Sequence, residues 1–325
     1  MKYRNFGKTG ILVSEIGFGA WAIGGSWGPQ DDRDSVKALH RALDLGVNFI
    51  DTAAGYGDGR SEKIIAQVLK ERSDEKIYVC TKTPPSPGEW PPSPHDSAEE
   101  RYSESYLRQN VEQRLKNLNI DCLDILLLHT WTRAWNRDPA PLEILKLLKD
   151  EGKIRNIGIS TPEHDQNCVI DLIRRDFLDA VQVIYNIFEQ EPAAELLPVA
   201  LKKQVGIIVR VAFDEGVLTG KYSAESTFPE GDFRQNYFAG DRLERAVNRV
   251  KKIEQDISDT GLSLPQVALK FAMSHDAVST VIPGIRNVQQ AEANIAVSDL
   301  PELSDDLVNR LRKHHWRRAF WYAGK

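Results

Sequence analysis

The stretch "PLEILKLLKDEGKIRNIGIS", Pro141 to Ser160, carries two periodicities in succession. In its first part Leu142, Leu145 and Leu148 recur every third residue, which places them on one face of a helix. Gly152 then stops the pattern. The second part, "IRNIGIS", is apolar almost without alternation, as expected of a strand covered on both faces.

Reading outward, the same sequence of signals recurs. Apolar runs stand at "EIGFGA", "VNFID", "KIYVCTK", "DILLLH", "IRNIGIS", "AVQVIYN", "GIIVRV" and "STVIPG", eight in all. Between them lie helical patterns. "SEKIIAQVLK" groups Ile64, Ile65, Val68 and Leu69, and "SYLRQNVEQRLKNL" groups Leu107, Val111, Leu115 and Leu118. "PAAELLPVALKKQ" and "NVQQAEANIAV" behave alike. Eight such β units alternating with helices predict an α/β fold, a closed (β/α)8 TIM barrel. A doubly wound open sheet is the rival, but its glycine fingerprint fails: "GFGAWAIGG" has Gly17 and Gly19, then Ala22 in place of the third glycine.

Three insertions interrupt the alternation: "TPPSPGEWPPSPHD", "HTWTRAWNRDPAP" and "SAESTFPEGDFRQNYFAGDR". All follow strands, so a barrel raises them from its C-terminal face, where barrel enzymes keep their active sites. The opening residues, 1–14, predict a hairpin with its turn at Gly7 to Gly10. No linker divides the chain, so one barrel domain is expected over 1–325, with 298–325 as a segment that either closes over the substrate or folds back on the barrel.

Bulk properties exclude several classes. A formal charge of −5 with dispersed basic residues gives no nucleic-acid footprint. No apolar stretch is long enough to cross a bilayer, and the amino terminus lacks a signal-peptide core. Cys80, Cys122 and Cys168 are too scattered for disulfides or a thiolate zinc site, and no His-x-His pair offers metal spacing. The expectation is a cytoplasmic protein without a metal, its oligomeric state left open.

The strand ends carry the chemistry. The second strand ends at Asp51, with Tyr56 on the following loop; the third ends at Lys82, the fourth at His129. A barrel brings these four to one rim. A phenol with an ordinary pKa of about 10 becomes a better proton donor beside an ammonium that favours the phenolate. Asp51 would hold Lys82, Lys82 would lower the Tyr56 pKa, Tyr56 would give the proton, and His129 would orient a carbonyl oxygen. Protonating that oxygen while hydride reaches the carbon is carbonyl reduction, and since side chains cannot supply hydride a nicotinamide cofactor is implied.

With "KTGILVSEIGFGAW", "NFIDTAAGYGDGRSE", "DILLLH", "KIRNIGIS", "VQVIYN", "GVLTGKY" and "VIPGIRN", the chain resembles the aldo-keto reductase family, in its bacterial-type branch, from end to end. The resemblance implies a barrel that binds NADPH (NADP+) without a glycine fingerprint and reduces an aldehyde or ketone. It implies the catalytic set Asp51, Tyr56, Lys82 and His129. It places Ala20, Trp21 and Asp51 at the nicotinamide, with Ser160, Thr161 and Gln182 at its carboxamide. Val211 and the segment Gly216, Leu218, Gly220 and Lys221 correspond to the pyrophosphate crossing, and Gly284, Arg286, Gln290 and Asn294 to the adenosine-phosphate site.

Three positions depart from the family pattern. Thr161 replaces an asparagine, Ala293 replaces a glutamate, and Arg210 stands where a tyrosine usually stacks on the nicotinamide. Either the Arg210 guanidinium lies on the ring and disfavours its oxidised, positive form, or it pairs with Asp214 or Glu215. Trp21, Trp27, Trp90 and Trp131 fall in loops and predict an aromatic wall for a small carbonyl substrate. The alternative to an enzyme is a slow, cofactor-binding redox sensor or regulatory subunit on the same scaffold.

Overall fold

In the computed structural model, which describes residues 1–25 and 27–316, the Pro141–Ser160 stretch forms a helix Ala140–Asp150 and a strand Ile154–Ser160. Leu142, Leu145 and Leu148 are buried against the sheet, and Gly152 takes a left-handed φ of 77° in the turn between the two. This unit repeats around the molecule.

Ten strands are present among the described residues. β1 (Tyr3–Asn5) and β2 (Leu12–Ser14) form the expected antiparallel hairpin. β3 (Phe18–Gly19), β4 (Phe49–Asp51), β5 (Tyr78–Thr83), β6 (Leu123–Leu128), β7 (Ile154–Ser160), β8 (Ala180–Ile184), β9 (Gly206–Arg210) and β10 (Val278–Val281) pair in parallel in chain order. The last meets the first through parallel bridges Ile16↔Val281 and Gly19↔Gly284, so the sheet closes.

The seam explains why the glycine fingerprint failed. A Cβ on Gly19 would stand 2.6 Å from the Ile282 carbonyl oxygen, and one on Gly17 3.0 Å from that of Phe49. Gly19 thus lets the last strand approach the first at the closure, and Gly17 leaves room for the β4 backbone, a packing role in place of a phosphate-binding turn.

Two apolar layers result. One lies between sheet and helices and includes the leucines of the opening stretch. The other fills the barrel: Phe49, Cys80, Ile125, Leu127, Ala180, Ile208 and Ile282, with Phe6, Ile11 and Val13 of the hairpin packed among them. Cys80 therefore acts as a small apolar side chain, and burial pushes its thiol well above the ordinary range. The hairpin plugs the N-terminal end. Side chains on a strand alternate in direction, so the inward position two residues beyond Phe49 is Asp51, beyond Cys80 is Lys82, beyond Ala180 is Gln182 and beyond Ile208 is Arg210. A polar layer thus caps the apolar one at the C-terminal mouth.

The three insertions rise at that mouth. The first, proline-dense one holds no helix or strand between Thr83 and Ser97. The third contains a short helix, Phe233–Tyr237, and leads into the helix Arg242–Asp256. The chain segment 298–316 runs through the helix Asp305–Arg312 to Trp316, whose ring meets Phe188 edge-on at 5.5 Å. Trp321 and the basic residues Arg317, Arg318 and Lys325, expected in a closing segment, lie outside the described residues. No helix among the described residues is long and apolar enough to cross a membrane.

Candidate active site

Asp51 ends β4 and Lys82 sits one residue before the end of β5, both with side chains buried. The Lys82 ammonium Nζ donates to Asp51 Oδ1 at 2.7 Å, to the Thr52 carbonyl at 2.8 Å and to the Tyr56 hydroxyl at 3.2 Å. The three donors of an ammonium thus have three acceptors. Tyr56 reaches this point because the chain after β4 turns tightly, Tyr56 N–H donating to the Ala53 carbonyl at 3.1 Å before the helix Arg60–Glu71 begins. Ser61, at the start of that helix, ties the turn down by bonding to Thr52 Oγ1 and to the Ala20 carbonyl. His129, immediately after β6, lies with its ring centroid 6.0 Å from that of Tyr56. The four polar residues singled out in the sequence therefore meet at one mouth.

Electrostatics at this point run partly against expectation. Burial alone would discharge Lys82, yet the Asp51 carboxylate, with Tyr56 and Cys80, holds its pKa above the ordinary lysine value. The Tyr56 hydroxyl is raised, not lowered: burial outweighs the opposing pull of the Lys82 cation. The phenol therefore stays protonated at neutral pH, loaded as a donor. His129 is pushed well below the ordinary imidazole value by burial, then by the Lys82 and Arg210 cations, so it is neutral.

A chain of hydrogen bonds extends the site across the barrel. Gln182 Nε2 donates to Asp51 Oδ2 at 2.7 Å, and Ser160 Oγ donates to Gln182 Oε1 at 3.1 Å. Arg210 is held by the Thr161 carbonyl at 3.1 Å, and its guanidinium lies 3.8 Å from the Glu163 carboxylate. Glu163 was not among the partners expected from sequence. Beyond Arg210 the backbone is strained. Val211, Asp214 and Glu215 have φ of 59°, 43° and 55°, a left-handed region where a β-branched residue is rare. Asn186, fully buried, secures this turn by donating to the Val211 carbonyl at 2.8 Å.

Further along the mouth three cations converge. Burial and then the Arg234 and Arg286 cations lower the pKa of Lys221, and burial and then the Arg234 cation lower that of Arg286. The Asp232 carboxylate opposes this at Arg286, and it is paired to Arg234 at 2.6 Å. Arg234 also lies 4.5 Å above the Trp27 ring, joining the third insertion to the loop after β3. Three cations gathered at one mouth, Lys221 exposed and the two arginines half-buried, fit a polyanionic group such as a dinucleotide's phosphates. Leu218 is fully buried. An added Cβ on Gly284 would meet nothing within 4 Å, and Asn294 is half-buried.

The aromatic wall is smaller than the sequence suggested. Trp90 is 58% exposed and meets the His129 ring at 5.7 Å. Trp21 packs edge-on against Trp27 and Phe233. Trp131, expected at the wall, is instead 1% exposed, its indole N–H bonded to Asn136 and its ring against Trp135. An insertion without a helix or strand long enough to anchor it needs an apolar foot, and Trp131 is that foot. Phe233, Arg234, Gln30 and Asn186 were missed as site residues. The first two lay in a stretch whose only sequence signal was its length.

The family model described as "Aldo/keto reductase family" matches residues 15–315. The chain belongs to the aldo-keto reductases. As a member of that family it is an oxidoreductase. It is 32% identical over 301 residues to the aldo-keto reductase YhdN of Bacillus subtilis, covering 90% of this chain and 87% of that one. It is 29% identical over 335 residues to an NADH-specific methylglyoxal reductase of Escherichia coli, covering 96% and 98%. The solved glycerol dehydrogenase AKR11B4 from Gluconobacter oxydans superposes with a TM-score of 0.78 at 27% identity, over 96% of this chain and 94% of that chain. Among the described residues no group of three or more His, Cys, Asp or Glu is placed to hold a metal.

Proposed function

We propose that this protein reduces an aldehyde or ketone to an alcohol with NADPH, Tyr56 acting as general acid. The observation that carries the reading is the Lys82 ammonium lying 2.7 Å from Asp51 and 3.2 Å from the Tyr56 hydroxyl, with a neutral His129 beside them.

A bound reduced nicotinamide supplies the hydride, which no side chain can. Tyr56 gives its proton to the carbonyl oxygen as negative charge develops there. Lys82 stabilises the phenolate left behind, and Asp51 keeps that ammonium charged and aimed. The uncharged His129 ring hydrogen-bonds the same oxygen and fixes the carbonyl's approach. Ser160, Thr161 and Gln182 hold the carboxamide end of the cofactor, with Ala20, Trp21 and Arg210 around the ring. The Val211 turn with Gly216, Leu218, Gly220 and Lys221 passes the pyrophosphate. Arg286, Gln290, Gly284 and Asn294 take the adenosine phosphate. Trp21, Trp27 and Trp90 form the substrate wall, broad enough for small apolar or sugar-like carbonyl compounds.

Oxidation of NADPH and of NADH, followed over a panel of aldehydes, ketones and sugars, tests the reading. Turnover is expected with the parent, and Tyr56→Phe is expected to lose at least about a hundredfold in kcat while binding cofactor as before. A Tyr56→Phe protein with full rate would end the assignment. Cofactor binding without turnover on any carbonyl would favour the redox sensor instead.

A further inference from the structure

The adenosine end of the mouth contains a cross-connection. Gln30, on the loop after β3, and Arg286, on the loop after β10, are 256 positions apart in sequence. Gln30 Oε1 accepts from Arg286 Nε at 2.9 Å, while Gln30 Nε2 donates to the Arg286 carbonyl at 2.9 Å. The same Nε2 donates to Ser35 Oγ at 3.0 Å, which ties the clamp to the helix Asp32–Asp44. Arg286 Nη2 donates to the Pro29 carbonyl at 2.5 Å, and the Arg286 N–H donates to Gln290 Oε1 at 2.8 Å. Two edges of the guanidinium are thereby fixed by uncharged groups, and the third, Nη1, makes no hydrogen bond among the described residues. An arginine's planar fork held this way points in one direction and keeps its full charge.

The surroundings make that direction consequential. The clamp borders a cavity of about 310 Å³ whose wall also carries Asp31 and Asp34. Asp31 is paired with Arg33 at 3.0 Å and Asp34 with Lys37 at 3.8 Å, so among the described residues lining this hollow Arg286 is the cation left to meet a phosphate, and the direction in which it is held decides how well it does so. We propose that Gln30 is a positioning residue that aims Arg286 at a 2′-phosphate, and so sets how strongly this protein distinguishes NADPH from NADH. The inference rests on the proposed NADPH-dependent reading and adds its selectivity device. Holding the side chain in place before the ligand arrives removes an ordering cost that binding would otherwise carry.

The test needs no turnover. Calorimetric titration with 2′,5′-ADP and with 5′-AMP is run on the parent, Gln30→Ala and Arg286→Ala. The parent is expected to bind 2′,5′-ADP at least about tenfold more tightly, the worth of one charge-assisted fork. Arg286→Ala should bring the ratio near one. Gln30→Ala should lower it by roughly fivefold with 5′-AMP affinity unchanged, since only preorganisation is lost. A Gln30→Ala ratio equal to the parent's, or equal losses for both ligands, would overturn the role of Gln30. If Arg286→Ala still abolished selectivity, the NADPH reading would stand without it. A parent that bound both ligands alike, or neither, would overturn both, while carbonyl turnover with NADH would keep the reductase itself.

Discussion

His129 shows how one side chain's environment sets its chemistry. Its position after an apolar strand marked it as a rim residue, but its protonation depends on what surrounds it. Burial and two nearby cations depress its folded pKa well below that of an exposed imidazole. A depressed value means the unfolded chain takes up a proton first as pH falls. The stability His129 contributes is therefore intact above about pH 6.5 and is lost as pH falls toward the folded value. Replacing it with asparagine should flatten this dependence: between pH 7 and pH 5 the urea midpoint of the parent should drop further than that of His129→Asn. Equal drops in the two proteins would place the acid sensitivity elsewhere.

At the scale of elements, the helix Arg60–Glu71 holds the Tyr56 loop in place through a buried charge. Glu62, in its first turn and fully buried, accepts from Thr81 Oγ1 at 2.7 Å on β5, from Arg114 Nε at 2.8 Å and from Asn117 Nδ2 at 2.7 Å on the helix Glu104–Leu118. Thr81 directly precedes Lys82, so one carboxylate braces the strand, the loop's following helix and its neighbour. Removing one partner of a buried pair leaves the other charge uncompensated, at a cost of about 3–5 kcal/mol. Glu62→Ala should lose that much in chemical denaturation, and the double change Glu62→Leu with Arg114→Met should recover much of it. A single variant within about 1 kcal/mol of the parent, the ordinary effect of a surface change, would contradict the account.

For the whole molecule, stability and chemistry sit at opposite ends of the barrel. Phe6 plugs the N-terminal end, its ring centroid 5.8 Å from that of Phe49, and is fully buried. Asp51 follows Phe49 on the same inward face of β4. Truncating a core phenylalanine typically costs about 3–5 kcal/mol. Phe6→Ala should therefore melt earlier by that equivalent, yet keep kcat and KM unchanged well below its melting temperature, because the layer between Phe6 and the mouth stays packed. A KM that rose while the protein remained folded would show that the plug and the mouth are coupled.

The order and kind of the elements were legible in the sequence by itself. The three-residue recurrence of Leu142, Leu145 and Leu148, the stop at Gly152 and the unbroken apolar strand after it are local patterns, and local patterns follow from helix and strand geometry alone. The strand-end positions of Asp51, Lys82 and His129, and that of Tyr56 on the loop after the first of them, were legible for the same reason. Tertiary structure decided the rest. Gly17 and Gly19 became a barrel seam, Trp131 became a foot beneath a loop, and Gln30 met Arg286 across 256 positions. The Tyr56 pKa even moved in the opposite direction from the one its neighbours implied. Desolvation and contacts between distant residues exist only once the chain has closed on itself, and no pattern of spacing encodes their balance.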